Sequence, residues 1–149
     1  MIKIICIGKI KENYLKEAIK DYSKRISKYT KLEIIELKDE AIKEKALKKE
    51  AQRIEEKIKE DDYVITLEIE GNNISSEELK EKIEKTLITN SNITFIIGGS
   101  FGLDDSIKQK SDYKLSFSKL TFPHQLFRII LLEQIYRSFK IINNENYHK

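Results

Sequence analysis

The feature that most constrains the fold is a regular alternation between short apolar runs and segments with helical spacing. Runs that predict β-strands occur at Ile2–Ile7, Leu32–Leu37, Tyr63–Ile69, Ile93–Ile97 and Tyr113–Phe117. Strands that alternate with helices are connected in the way that a parallel sheet requires. We therefore predict an α/β domain that has a largely parallel sheet with flanking helices.

The helical segments fit this plan, and nothing in the sequence divides the chain. At 149 residues it is the right size for a single domain, 1–149, with no repeat and no linker. Ser75 begins a segment with good N-capping chemistry, and Pro123 suits the first turn of the last helix. The predicted helices cover Asn13–Ile26, Asp39–Lys59 (one mostly solvated helix or a pair), Ser75 to about Leu87, Asp104–Lys110, and Pro123 to about Ile142.

Composition argues against several classes of protein. No 18-residue uncharged apolar run is present, so we expect no transmembrane helix. The first apolar run is short and is followed by charged residues, which is unlike a signal peptide, so we expect a cytoplasmic protein. Cys6 is the sole cysteine and lies in an apolar strand, where it is typical of core packing. With one cysteine and two histidines, we expect no metal site.

Two loops are candidates for ligand binding. All five glycines are predicted to lie at or just beyond strand ends, and Gly98, Gly99 and Gly102 form a cluster. Ligands of parallel sheets bind beyond the carboxyl ends of the strands, although glycine also ends strands for structural reasons alone. The turn lacks the dinucleotide and P-loop patterns. Together with a second loop at Ser116–Phe122, it would suit an adenine ring between apolar walls.

The last helix and the tail carry the polar groups that could act in chemistry. Glu133, Arg137 and Lys140 fall on one polar stripe. Arg128 falls on the apolar side of the helix. Its charge is either paired at a subunit interface, used in a catalytic pocket, or brought to solvent by its long side chain. His124 either caps the helix or packs. The ending Tyr147-His148-Lys149 is either a frayed tail or a group that stacks on a base and handles a proton.

Charge is distributed unevenly along the chain. Residues 106–149 carry eight Lys/Arg and three Asp/Glu, whereas residues 1–105 carry 20 and 22. A basic last third suits a polyanion such as RNA, although a lysine-rich surface alone would look the same. No nucleophile elbow, acidic dyad or metal cluster is apparent.

Several segments resemble one known family. IIGGSFGL, LSFSKLTFPHQLFRIILLEQIYRSFKI and the terminal YHK are similar to the bacterial ribosomal RNA large subunit methyltransferase H family of the SPOUT superfamily. The start, IICIGKIKENYLKEAIKDYSKRI, and the strand VITLEIEG are similar too. The resemblance covers nearly the whole chain, is most specific over residues 95–140, and is least distinctive over residues 39–60.

The resemblance implies a fold, a reaction and a set of residues. The C-terminal part would form a deep trefoil knot, and the protein would be a homodimer. It would use S-adenosylmethionine to methylate N3 of a pseudouridine in a 23S rRNA stem-loop on the assembled ribosome, without a metal. The family's cofactor contacts correspond to Leu67, Gly98, Phe117, Ser118, Lys119, Leu120, Thr121 and Phe122.

The catalytic roles are expectations built on the resemblance. His148 would assist the departure of the imide proton, and Arg128 or Arg137 would orient RNA or stabilise developing charge. Tyr147 would stack on a base, and the frayed tail would become ordered only in the complex, next to the other subunit's cofactor. Two alternatives stay open: a non-catalytic ribosome-binding protein of the same fold, and a nucleotide-binding flavodoxin-like module.

Overall fold

The computed structural model describes all 149 residues and contains one five-stranded, all-parallel sheet. The strand order is β2-β1-β4-β3-β5. The strands are β1 (Ile2–Ile7), β2 (Leu32–Leu37), β3 (Asp62–Asn73), β4 (Asn92–Ile97) and β5 (Tyr113–Ser116). The prediction of an α/β domain with a largely parallel sheet is confirmed.

Helices cover both faces of the sheet, which explains why the central strands are mostly apolar. Every residue of β1 is buried, as expected for a parallel strand between two helical layers. One core contains Ile4, Phe95 and Leu131; the opposite core contains Ile5, Ile54 and Ile107. The helices are α1 (Asn13–Ile26), α2 (Lys43–Glu55), α3 (Ser76–Thr89), α4 (Asp105–Gln109) and α5 (His124–Ile142).

Three element boundaries differ from the prediction. The charged segment 39–59 forms a single shorter helix, α2, of 13 residues. Strand β3 extends past Ile69 to Asn73, with a shift of register between Leu67 and Asn72. Gly71 therefore lies inside a strand and not beyond its end: a Cβ there would come within 2.8 Å of the Lys114 backbone. Glycine lets the two strands approach closely at this bulge.

Other local predictions are confirmed. Ser75 caps α3 in a full capping box, since its side chain accepts from the Glu78 backbone and the Glu78 side chain accepts from the Ser75 backbone. Cys6 is completely buried, and burial raises the pKa of its thiol to about 11. A thiol of this kind is an inert part of the core.

The last helix ties the C-terminal half of the chain to the body of the fold. Helix α5 packs against α1 and α3 and contributes Leu131, Leu132, Ile135, Tyr136 and Phe139 to the larger core. Its first turn lies next to the carboxyl ends of the central strands, because Phe127 shares a cleft there with Gly98 and Leu67. The fold thereby brings both candidate ligand loops to one edge of the sheet.

Candidate functional site

A cleft of about 270 Å³ lies beyond the carboxyl ends of β4, β3 and β5. This is the edge at which parallel α/β sheets bind ligands. Seven of the eight residues expected to contact a cofactor line it: Leu67, Gly98, Phe117, Ser118, Leu120, Thr121 and Phe122. Lys119 is exposed and lies outside the lining, so the structure directs it to solvent and not to the cleft.

The glycine turn after β4 forms one wall of the cleft. A Cβ on Gly98 would lie 2.6 Å from the carbonyl oxygen of Gly102, which is closer than real side chains approach. Gly102 has φ +81°, a backbone conformation that favours glycine, and its N–H donates to the Gly99 carbonyl over 3.1 Å. Backbone therefore packs on backbone here, and any side chain at Gly98 would displace the wall.

The loop after β5 forms the opposite wall and is internally fixed. The Ser116 hydroxyl donates to the Ser118 carbonyl, and the Ser118 hydroxyl accepts from the Leu120 N–H. The Phe127 ring stands 5.0 Å from the Phe117 ring, edge to face. It also stacks on Phe122 at 5.9 Å. These aromatic contacts fasten the loop to the first turns of α5 and give the cleft a rigid apolar side.

The lining residues Glu68 and Ile69 were missed by sequence reasoning. Glu68 and Ile69 follow Leu67 and line the cleft together with it, although neighbours in a regular strand point to opposite faces. The bulge in β3 makes this possible, and Gly71, two residues after the predicted end of the strand, was the available signal. His124, for which capping and packing were both open, lines the cleft, and the helix has no side-chain cap at Pro123.

Arg128 occupies a buried position between α5 and the ends of β1 and β2. Its side chain is 2% exposed; Nη1 lies 2.7 Å from Glu36, and Nη2 donates to the Ile7 and Gly8 carbonyls at 3.0 and 2.7 Å. Glu36 also accepts from the Ile10 N–H. In this arrangement Arg128 braces the β1–α1 turn. Its guanidinium contacts protein groups and is not available to RNA, which argues against the role expected for it.

The tail is docked on α5, which contradicts the expectation that it is frayed. The Tyr147 hydroxyl donates to Glu133 over 2.7 Å, and its ring lies under the Arg137 guanidinium at 4.8 Å. His148 lies 3.1 Å from Arg137 through Nδ1 and 3.0 Å from Glu77 through Nε2. Because guanidinium can only donate, Nδ1 accepts and Nε2–H donates to the Glu77 carboxylate.

Docking of the tail changes the pKa of Tyr147. The hydrogen bond to Glu133, together with burial, raises the pKa of Tyr147 to about 12. Arg137 holds this group together, since it also pairs with Glu133 at 2.8 Å. None of these tail residues lines the cleft of its own chain. The four expected catalytic residues are therefore not brought to the candidate cofactor cleft within one subunit.

Two further features bear on the class of site. No group of three or more His, Cys, Asp or Glu side chains is arranged to hold a metal ion. No helix combines the length and hydropathy needed to cross a bilayer. The chemistry available in the cleft is thus that of backbone groups, hydroxyls, one carboxylate and one imidazole.

An all-parallel α/β sheet with a cleft of glycine and backbone loops at its carboxyl edge defines a nucleotide- or nucleotide-cofactor-binding class of protein. Comparison with known proteins narrows the class. The family model described as "Predicted SPOUT methyltransferase" matches residues 1–148. The chain belongs to the SPOUT methyltransferases and, within them, to the ribosomal RNA large subunit methyltransferase H family.

The relatives match over their full length. A Finegoldia magna protein named ribosomal RNA large subunit methyltransferase H is 56% identical, and the match covers 99% of both chains. A Clostridium perfringens protein named ribosomal RNA large subunit methyltransferase H 1 is 53% identical over the same share. An Acetivibrio thermocellus protein with the family name is 52% identical, again over 99% of each chain.

Proposed function

We propose that this protein transfers a methyl group from S-adenosylmethionine to N3 of a pseudouridine in 23S rRNA, acting on the assembled ribosome in the cytoplasm. The observation that carries the proposal is the cleft, whose walls come from the two loops that the family resemblance assigns to the cofactor. The family membership supplies the reaction class. The uridine-type target and the ribosomal setting are extrapolated from the resemblance.

The residues of the cleft fit the proposed cofactor. An adenine ring needs apolar faces and hydrogen-bonding edges, and Phe117, Leu120 and the backbone of the glycine turn can supply both. Gly98 is fitted so closely to Gly102 that the wall consists of backbone with no intervening side chain. The bound sulfonium would supply an already activated methyl group, so positioning is the main task of the protein.

The protein also has to manage one proton, because N3 of the target loses its hydrogen when it gains the methyl group. We assign this to His148, because a neutral imidazole has a ring nitrogen that can accept a proton. In the docked tail Nδ1 is occupied by Arg137. The contact between His148 and Arg137 would therefore have to break before Nδ1 could accept a proton. Tyr147 would stack on a base.

A homodimer would bring these parts together. The tail lies away from the cleft of its own chain, so we propose that it serves the cleft of a second subunit. Exposed apolar side chains support this, because Ile69, Phe101 and Leu120, which are 54%, 36% and 72% exposed, lie in the segments that form the cleft.

We further propose that the loop Ser116–Phe122 passes through the preceding part of the chain to form the deep trefoil knot implied by the family. The support is that this loop lies against the glycine turn after β4 and is followed by a helix packed between α1 and α3. Pulling the two ends apart in a single-molecule experiment tests it. A knotted chain stays shorter than 149 extended residues allow, whereas an unknotted chain reaches full length.

The function is tested by incubating the protein with S-adenosylmethionine and ribosomes that lack the modification, then digesting the 23S rRNA for mass spectrometry. The expected product is a pseudouridine that is heavier by one methyl group, with the methyl at N3. The flavodoxin-like alternative predicts binding of FMN and no binding of S-adenosylmethionine in a thermal-shift comparison. The non-catalytic alternative predicts ribosome binding without methyl transfer.

A further inference from the structure

Glu68 is the single carboxylate among the residues that line the cleft, and no lysine or arginine lines it. Its side chain is only 11% exposed. A carboxylate that is this well buried against apolar walls is costly unless donors satisfy its oxygens. The partners of the two oxygens therefore indicate whether Glu68 serves the fold or a ligand.

One oxygen of the Glu68 carboxylate accepts a hydrogen bond from within the protein. The Thr66 hydroxyl, which is completely buried, lies 2.6 Å from Oε2 of Glu68. Thr66 is itself held by the Ser111 hydroxyl at 2.7 Å. This chain of hydroxyls fixes the orientation of the carboxylate, so that Glu68 is held rigidly and does not sample several rotamers.

The other oxygen has no hydrogen-bond partner. The nearest cation is the Lys108 ammonium, 3.9 Å from Oε1, which is outside hydrogen-bond range. The Lys108 side chain is 37% exposed, does not line the cleft, and can be solvated instead. Oε1 therefore has no protein donor within hydrogen-bond distance, whereas Oε2 accepts from Thr66.

The local backbone places Glu68 at the cleft in a way that an ordinary strand would not. Leu67 pairs with Leu115, and the next paired residue of β3 is Asn72, which meets Leu115 as well. The residues between them leave the ladder, so Leu67, Glu68 and Ile69 line the cleft in succession. Bulges often re-aim side chains next to active sites.

We propose that Glu68 is a cofactor-binding residue, whose free oxygen accepts a hydrogen bond from a donor group of the methyl donor. The donors of that cofactor fall into two sets, the α-ammonium of its methionine part, and the ribose hydroxyls and adenine amino group of its adenosine part. The inference rests on the proposed function, because it presumes that the cleft binds S-adenosylmethionine. It adds a side-chain contact to a site otherwise built of backbone and apolar groups.

Titration calorimetry on the full chain separates the two sets of donors. The probes are S-adenosylmethionine, S-adenosylhomocysteine and 5′-methylthioadenosine, which keeps the ribose and adenine but lacks the ammonium. For Glu68→Gln we expect the affinity for the first two ligands to fall by at least about tenfold, as for loss of a charge-assisted hydrogen bond. Unchanged affinity for methylthioadenosine assigns the ammonium; an equal loss for all three ligands assigns the adenosine part.

Lys108→Gln is the matched control, since it removes the loose ion pair without touching the cleft. We expect it to bind all three ligands as the unaltered protein does, or slightly more tightly. The proposal is overturned if Glu68→Gln binds every ligand normally, or if Lys108→Gln weakens binding as much as Glu68→Gln. Failure of the proposed function looks different, because the unaltered protein would then bind neither S-adenosylmethionine nor S-adenosylhomocysteine.

Discussion

At the scale of single residues, Gly98 is the position where a side chain is least tolerable. Its missing Cβ would lie 2.6 Å from the Gly102 carbonyl and 3.1 Å from Leu103. We expect Gly98→Val to push the turn into the cleft and weaken S-adenosylmethionine binding by more than about 100-fold, while overpacking costs about 1–3 kcal/mol of stability. Calorimetry and urea unfolding measure the two effects. Ser100→Ala, in the same turn, is the control, and normal binding by Gly98→Val would show that the ligand lies elsewhere.

Tyr147 reports whether the tail is docked. The hydrogen bond to Glu133 raises its pKa to about 12, above its ordinary value of 10.0. The folded protein therefore holds this proton longer than the unfolded chain, so the associated stability is complete below pH 10 and is lost as the pH rises towards 12. Tyrosinate absorbance should show a late step that Tyr147→Phe removes. If Tyr147→Phe removes a step near pH 10 instead, the tail is free.

At the scale of elements, Arg128 joins α5 to the ends of β1 and β2. Replacing it with Met removes the charge and leaves Glu36 and the Ile7 and Gly8 carbonyls without their donor. We expect a loss of about 3 kcal/mol, near the lower end for a broken buried pair, because Glu36 can regain water. Urea unfolding measures it. Arg25→Gln, which breaks the exposed pair with Asp21, should leave the unfolding midpoint unchanged.

Most elements could be predicted because each depends on a local pattern. The apolar runs of β1, β2 and β4 place those strands to within a residue, and Ser75 and Glu78 mark the start of α3 by capping chemistry. The bulge in β3 could not be placed, because it depends on pairing with β5, where Leu115 meets both Leu67 and Asn72. Glu68 was missed for that reason.

Long-range polar contacts account for the remaining errors. Lys3 lies in the middle of an apolar strand, and the sequence around it does not identify its partner. In the structure its side chain is 2% exposed, and its ammonium lies 2.7 Å from the Asp62 carboxylate. The stripe of Glu133 and Arg137 was recognised, but the residues that satisfy it come from the tail and from α3. A pattern along one element identifies a polar face without identifying what covers it.

At the scale of the whole molecule, the cleft and the tail of one chain are separate, and a second subunit would join them. We expect a homodimer at micromolar concentration in sedimentation experiments, with an interface of at least about 1,000 Å². Leu120→Glu, which places a charge on a side chain that is 72% exposed, should shift the population towards monomers. A monomer under the same conditions without any substitution would contradict the composite site.

The basic excess of the last third is modest, and several of its cations are already paired, including Lys110, Arg128 and Lys140. Phosphate contacts supply most non-specific affinity for RNA. A short naked stem-loop should therefore bind weakly, and the ribosome would have to present the target base. A comparison of intact ribosomes with isolated rRNA as substrates is therefore the most informative one.

The most direct test is to measure methyl transfer from radiolabelled S-adenosylmethionine to intact ribosomes and to isolated 23S rRNA, with the full chain and with a chain lacking Tyr147-His148-Lys149. We expect rapid labelling of ribosomes and little labelling of naked rRNA. The truncated chain should label neither substrate but should still bind S-adenosylmethionine. Equal labelling of ribosomes and naked rRNA would contradict the dependence on the ribosome. An active truncated chain would contradict the catalytic role of the tail, and the absence of labelling with any substrate would contradict the proposed function itself.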